Sequence, residues 1–316
     1  MTIKKANLAF LFVVLLNIGL VGVLSFMAVG GYDTSFFTME MNFILSESII
    51  IIPMLFVILF GRGGEKVSDV FGFHKVRIST LLLVVVYTIL LMPMTTLLNS
   101  ISMLFVDNAI LENSDGMLEM PGFELFFFVA MLAPFCEEVL FRGLLYHGYR
   151  KSRNLVLAGV CSAFLFGIYH MNLNQAPYAF FLGIMMALLV EATGSIWSSI
   201  FMHVLVNGTS VVTMLVENSQ NPSVIEQAKE EVMTVDTLVP MLPALSIAAV
   251  VGIAIALCLL VKMAELQGRY RFFSVVFGTR KNHADRIGTV PYYIAMGICI
   301  ACTILSVVLQ YIDISS

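Results

Sequence analysis

Charge is what this sequence has least of. Only 12% of its 316 residues are Asp, Glu, Lys or Arg, against 59% hydrophobic, and the mean hydropathy is +0.95. A soluble domain needs a far more charged surface than this, so the composition excludes one and points to a polytopic membrane protein. No basic run or stripe is present, which excludes a nucleic-acid surface. The net charge of −4 says little here, because in a membrane protein the placement of Lys and Arg among loops matters more than their sum. The five cysteines, Cys136, Cys161, Cys258, Cys299 and Cys302, all sit in apolar segments. The C-x-x-C of the last two lacks the flanking bases and water that redox chemistry needs, so all five read as packing residues. There is no H-E-x-x-H motif, no internal repeat and no soluble domain.

Long apolar runs are what the chain has instead. Lys4 and Lys5 precede a run over about residues 6–29, too long for the core of a signal peptide and long enough for a first spanning helix. Further runs cover about residues 43–60, 78–98, 121–149, 155–171, 176–189, 195–217, 238–261 and 290–312. The expected fold is therefore an all-α bundle of about nine transmembrane helices. Loop charge tests the count. With the N-terminus in the cytoplasm, nine spans place the bases Arg62, Lys66, Lys75, Arg77, Arg150, Lys151, Arg153, Lys262, Arg269, Arg271, Arg280, Lys281 and Arg286 inside. The acidic loops, residues 99–120 and 217–236, then face outward, and so does the C-terminus. Residues 71–77 and 270–277 read as connecting loops or short interfacial pieces.

One stretch departs from this apolar pattern. Residues 131–150, MLAPFCEEVLFRGLLYHGYR, place Glu137, Glu138 and Arg142 inside a spanning helix, at an insertion cost of roughly 2.5 to 3.5 kcal/mol each. Glu138 and Arg142 stand i, i+4 with the acid on the N-terminal side, the favourable order for an ion pair. Glu137 points about 100° away and has no base at helical spacing, so it most needs a function. Pro134 is expected to kink the helix one turn before it.

The remaining buried polar groups cluster downstream. His170 follows Phe166 by four residues on the fifth helix, and His203 precedes Asn207 by four on the seventh. Counted at 1.5 Å per residue, Glu137, His170, His203 and Asn207 all fall within about 10 Å of the midplane. A carboxylate facing an imidazole can activate water, and a second imidazole with an amide can hold an oxyanion; peptide hydrolysis requires both. Glu47 and Glu124 lie toward the outer ends of their helices, His147 reads as interfacial, Glu191 as a capping or snorkelling residue, and His74 and His283 as loop residues without evident partners.

Taken together, E-E-x-x-x-R (Glu137, Glu138, Arg142), F-x-x-x-H (Phe166, His170) and H-x-x-x-N (His203, Asn207) resemble the motifs of the CAAX protease and bacteriocin-processing (CPBP, or Abi) intramembrane proteases, related to type II CAAX prenyl endopeptidases. Order, spacing and placement on three helices match as well. The resemblance implies a catalytic core over residues 121–217, flanked by a three-helix extension (1–120) and a two-helix extension (218–316). It implies that Glu137 and His170 activate the water, that His203 and Asn207 stabilise the oxyanion, and that Glu138 and Arg142 hold the site together, with Phe166 in support. The family is commonly labelled metalloprotease, and Glu137, His170 and His203 would make a three-ligand zinc site; a metal-free glutamate mechanism is the other option, toward which the absence of H-E-x-x-H leans. The implied partners are the lipid bilayer and a peptide or protein substrate, hydrophobic or lipidated. Met185 and Met186 of the sixth helix read either as the lining of a pliable apolar groove for it or as packing residues. The implied location is a prokaryotic cell membrane. Two readings from other classes compete, an ion-coupled transporter and a catalytically silent scaffold or immunity protein. The missing inverted repeat speaks against the first and the complete motif set against the second.

Overall fold

The computed structural model describes every residue except 1, 35–36, 62–63, 65, 153, 222, 231–232, 279–284 and 316. Arg62, Arg153, Arg280 and Lys281, which entered the loop-charge pattern, and the loop residue His283 lie outside the described residues. All the regular structure among those described is helical. Among the described residues, seven helices are long and apolar enough to cross a membrane. They are α1 (Ile3–Val29), α2 (Met39–Phe56), α3 (Ile78–Ser102), α6 (Gln175–Thr193), α7 (Ile196–Gln220), α8 (Leu242–Leu266) and α9 (Val290–Ser315). Two more apolar helical segments fall between α3 and α6. Residues 122–149 form α4, in which α-helical turns alternate with π-helical ones, and Leu155–Tyr169 forms the shorter α5. Apolar side chains such as Ile247, Val250, Ile304 and Leu305 are more than half exposed on the outer faces, as a bilayer-facing surface requires.

The interruptions in α4 have a local cause. Phe126–Leu132 and Val139–Tyr146 are π-helical, and Pro134 sits in the first turn of the short α-helical piece between them, Ala133–Glu138. A proline lacks the N–H that a regular ladder needs there, and a wider π turn before it absorbs the mismatch. The expected kink is thus a change of helical pitch on either side of the two glutamates. Several segments between the long helices are more ordered than hydropathy suggests, because Ala109–Glu112, Ser114–Leu118 and Ser223–Glu230 are short helices. Lys229 ties the two acidic segments together, with its ammonium 2.5 Å from Asp115 and 3.0 Å from Glu226.

Small residues let the helices approach closely. A Cβ on Gly183 of α6 would stand 2.8 Å from the Cβ of Ala163 in α5, and one on Gly252 of α8 would stand 2.1 Å from the Leu90 carbonyl oxygen of α3. Because the second obstacle is backbone, Gly252→Ala is expected to destabilise the protein by about 1–3 kcal/mol. Thermal unfolding in detergent measures this, with Gly297→Ala, which meets nothing within 4 Å, as the near-neutral comparison. Buried polar links fix helix depth. Tyr149 at the end of α4 donates to Asn7 of α1 at 2.5 Å, and Asn7 donates to the Ile287 carbonyl and the Thr289 hydroxyl, each at 2.9 Å. The short helix Val67–Phe71 and the residues after it are not a free loop. The Ile196 N–H donates to the Gly72 carbonyl at 3.0 Å and Ser195 Oγ to the His74 carbonyl at 2.6 Å, which seats this segment on the start of α7.

Candidate active site

The ion pair sits at the bottom of the site. Arg142 Nη1 lies 2.6 Å from Glu138 Oε1, and the two side chains are 1% and 0% exposed. The i, i+4 spacing brings them together, and burial makes each the other's main compensation. Arg142 also stacks on Phe166, its guanidinium carbon 4.3 Å from the ring centroid, a cation–π contact in a desolvated setting.

Phe166 is the hub of the cluster. His170 meets its ring edge-on at 5.1 Å, His203 at 5.7 Å and Phe141 at 5.0 Å, centroid to centroid. The F-x-x-x-H spacing thereby has a physical reason, since one aromatic ring sets the position of both imidazoles and the arginine. Backbone geometry sets the tautomer of His170. Its Nδ1 lies 2.9 Å from the Phe166 carbonyl oxygen, which only accepts, so Nδ1 carries the hydrogen and Nε2 of the neutral ring keeps its lone pair.

His203, delivered by α7, stands between the two glutamates. Nδ1 is 3.2 Å from Glu138 Oε1 and Nε2 is 3.7 Å from Glu137 Oε2. Glu138 is thus shared by an arginine and a histidine. Glu137 stays partly open, its side chain 15% exposed, with no direct hydrogen bond to His203 at that distance. Asn207, one turn beyond His203, donates from Nδ2 to the Val129 carbonyl at 3.0 Å. Val129 belongs to the π-helical stretch before Pro134, where carbonyls are left over from the regular ladder. One amide hydrogen of Asn207 is committed there, and the other makes no hydrogen bond among the described residues.

In donor type, Glu137 with the Nε2 atoms of His170 and His203 suits zinc. The described residues nevertheless gather no group of three His, Cys, Asp or Glu side chains close enough to hold a metal ion, so no step below is routed through one.

Comparison with known proteins follows this geometry. Residues 121–209 match the family described as "Type II CAAX prenyl endopeptidase Rce1-like". The segment resembles that family. It contains all seven motif residues, so the likeness read from the motifs is supported over the part of the chain that carries them. Among curated proteins, "Putative membrane peptidase YdiL" of Bacillus subtilis (strain 168) is 33% identical over 92 residues, 29% of this chain and 37% of that protein. The match thus spans little more than a third of the relative's length. No solved structure matches significantly. Helices α1 to α3, α8 and α9 lie outside the Rce1-like segment.

Glu191 and Glu47 behave differently from their expected places, and Met185 and Met186 take one of the two readings open to them. Glu191 neither caps nor snorkels; it lies inside α6, 2% exposed. Its carboxylate oxygens are 2.8 Å from Arg150 Nε and 3.4 Å from Arg269 Nη2, and Arg269 Nε donates to its carbonyl at 2.7 Å. It therefore joins the end of α4 to the segment after α8, around a cavity of about 130 Å³ that Arg142 and His147 also line. Met185 and Met186 are 4% and 0% exposed, so they are core packing and not an open groove. Glu47 of α2 is also buried, at 6%. The only signal of this in the sequence is an acid inside an apolar run, which names no partner.

Proposed function

We propose that the protein is an intramembrane endopeptidase that hydrolyses a peptide bond of a membrane-associated, hydrophobic or prenylated substrate by direct attack of water. The observation that carries this reading is Glu137, a partly open carboxylate with His203 Nε2 3.7 Å away, in a site otherwise closed by paired charges. A gap of that length is one that a single water closes from the side. Glu137, with the Nε2 lone pair of His170, takes a proton from the water, and the hydroxide adds to the scissile carbonyl. The oxyanion is met by Asn207 and His203. Glu138, itself paired with Arg142, holds His203 Nδ1 at 3.2 Å, which assigns the pair a role in keeping the imidazole in place. Return of the proton to the leaving nitrogen completes the cycle without an acyl-enzyme.

The N-terminus is assigned to the cytoplasm and the C-terminus to the outside, on the loop charges. The test is cleavage of a panel of fluorogenic lipidated and unlipidated peptides by detergent-purified protein, with His170→Ala alongside. Loss of about 10²–10⁴-fold in kcat/KM is expected for His170→Ala. Wild-type activity is expected to persist in a strong chelator, because no three-ligand set is gathered among the described residues. Equal cleavage by His170→Ala and wild type would remove the assignment, and loss with chelator restored by zinc would replace the metal-free route.

A further inference from the structure

The cavity beside Glu191 is walled by the end of α4, the end of α6, the segment 69–74 and the segment after α8, at the end of the bundle that the loop charges assign to the cytoplasm. Its volume is about 130 Å³. That is roughly tenfold what a single water needs, and room for a tetrahedral oxyanion. Arg150 and Arg269, 40% and 36% exposed, stand at its mouth and share Glu191. Arg142, 1% exposed, lines its inner end. Glu138 engages Nη1 of Arg142, while Nε and Nη2 are buried without a hydrogen-bond partner among the described residues.

Charge alone does not decide what such a cavity takes, because Glu138, Glu191 and the exposed Asp69 balance the three arginines. Donor number does. Each guanidinium carries five N–H groups, and the buried, unmatched ones of Arg142 call for acceptor oxygens, since an unmade hydrogen bond there is costly. A phosphate group offers several acceptors to guanidiniums arriving from different elements, with the charge-assisted geometry that arginine favours. The mouth also lies among aromatics. Phe73 sits between the lining residues Gly72 and His74, and Trp197 follows the lining residue Ile196; their rings are 5.2 Å apart, and Trp197 is 45% exposed. Aromatic side chains of this kind settle at the headgroup level of a bilayer, where phospholipid phosphates are. We propose that this cavity is a phosphate-binding site, with Arg142 at its inner end and Arg150 and Arg269 at its mouth. The phosphate is either free or carried by a phospholipid headgroup. The site does not depend on the protease reading.

Trp197 is the single tryptophan of the chain, so fluorescence of the full-length protein reports the mouth directly. The protein is delipidated in dodecyl maltoside, a detergent without phosphate, and titrated at constant ionic strength with inorganic phosphate and, separately, with dihexanoyl phosphatidylglycerol. A saturable change is expected with at least one of them, and none with sodium chloride or with dihexanoylglycerol, which has the same tails and no phosphate. Saturation by inorganic phosphate at the lower concentration assigns a free phosphate; saturation by the lipid at the lower concentration assigns a headgroup. Arg150→Gln/Arg269→Gln is expected to weaken binding about 10–100-fold. Asp69→Asn, which removes a negative charge from the rim without touching an arginine pair, is expected to bind several-fold tighter than wild type, a change that misfolding does not produce. No saturable response to either probe, an equal response to dihexanoylglycerol, unchanged binding in Arg150→Gln/Arg269→Gln, or weaker binding in Asp69→Asn overturns the proposal.

Discussion

Glu137→Gln is expected to lower kcat/KM by about 10²–10⁴-fold, the usual contribution of a positioned general base, while leaving the unfolding temperature close to that of wild type. The separation of the two effects follows from geometry. Glu137 is the glutamate of the pair that makes no ion pair with arginine, and its approach to His203 is 3.7 Å, too long for a hydrogen bond whose loss would matter to stability. Glutamine keeps the volume and removes the basicity. Circular dichroism and thermal unfolding in detergent, run beside peptide cleavage, give both readings on one preparation. A variant that unfolds many degrees early would show that Glu137 supports the fold, and one that cleaves normally would show that it is not the base.

Arg142→Leu is expected to act the other way round, on stability first. Removing one partner of a buried ion pair leaves the other charge uncompensated, at a cost of about 3–5 kcal/mol, whereas replacing both partners with apolar residues is often close to neutral. Arg142 is 1% exposed and Glu138 is 0% exposed, so water does not take over the lost contact. The double variant Glu138→Leu/Arg142→Leu is therefore expected to regain most of the stability lost by Arg142→Leu, a coupling that a double-mutant cycle reads directly. Activity is not expected to return with it, because Glu138 also holds His203 Nδ1 at 3.2 Å. Additive losses in the cycle would mean that the two side chains act independently.

Both expectations depend on contacts that were readable to different degrees. The pair Glu138 and Arg142, the shared face of Phe166 and His170, and the neighbours His203 and Asn207 all lie within one helical turn, and 3.6 residues per turn makes such neighbours visible in a linear chain. Hydropathy likewise marks where apolar helices run, since every spanning segment must satisfy its backbone internally and face lipid. It failed where the helix itself is irregular. No hydropathy window distinguishes α from π turns, so the change of pitch around Pro134 was legible only as an expected kink.

Contacts between helices are another matter, because they depend on rotation and relative depth, which many small packing terms set together. That His203 faces both glutamates, that Asn207 spends a donor on Val129, and that one phenylalanine ring serves two histidines and an arginine all come from how α4, α5 and α7 are rotated against one another. Glu47 and Glu191 are the plainest cases. Each looked like an acid near a helix end, and each is buried; Glu191 lies against Arg150 and Arg269, which are far away in sequence. The sequence by itself determined the membrane class, the helices and the local pairs, because these follow from composition and short-range periodicity. Only the tertiary structure decided which carboxyl each base meets and which stands without one, because those distances depend on side chains brought together from separate helices.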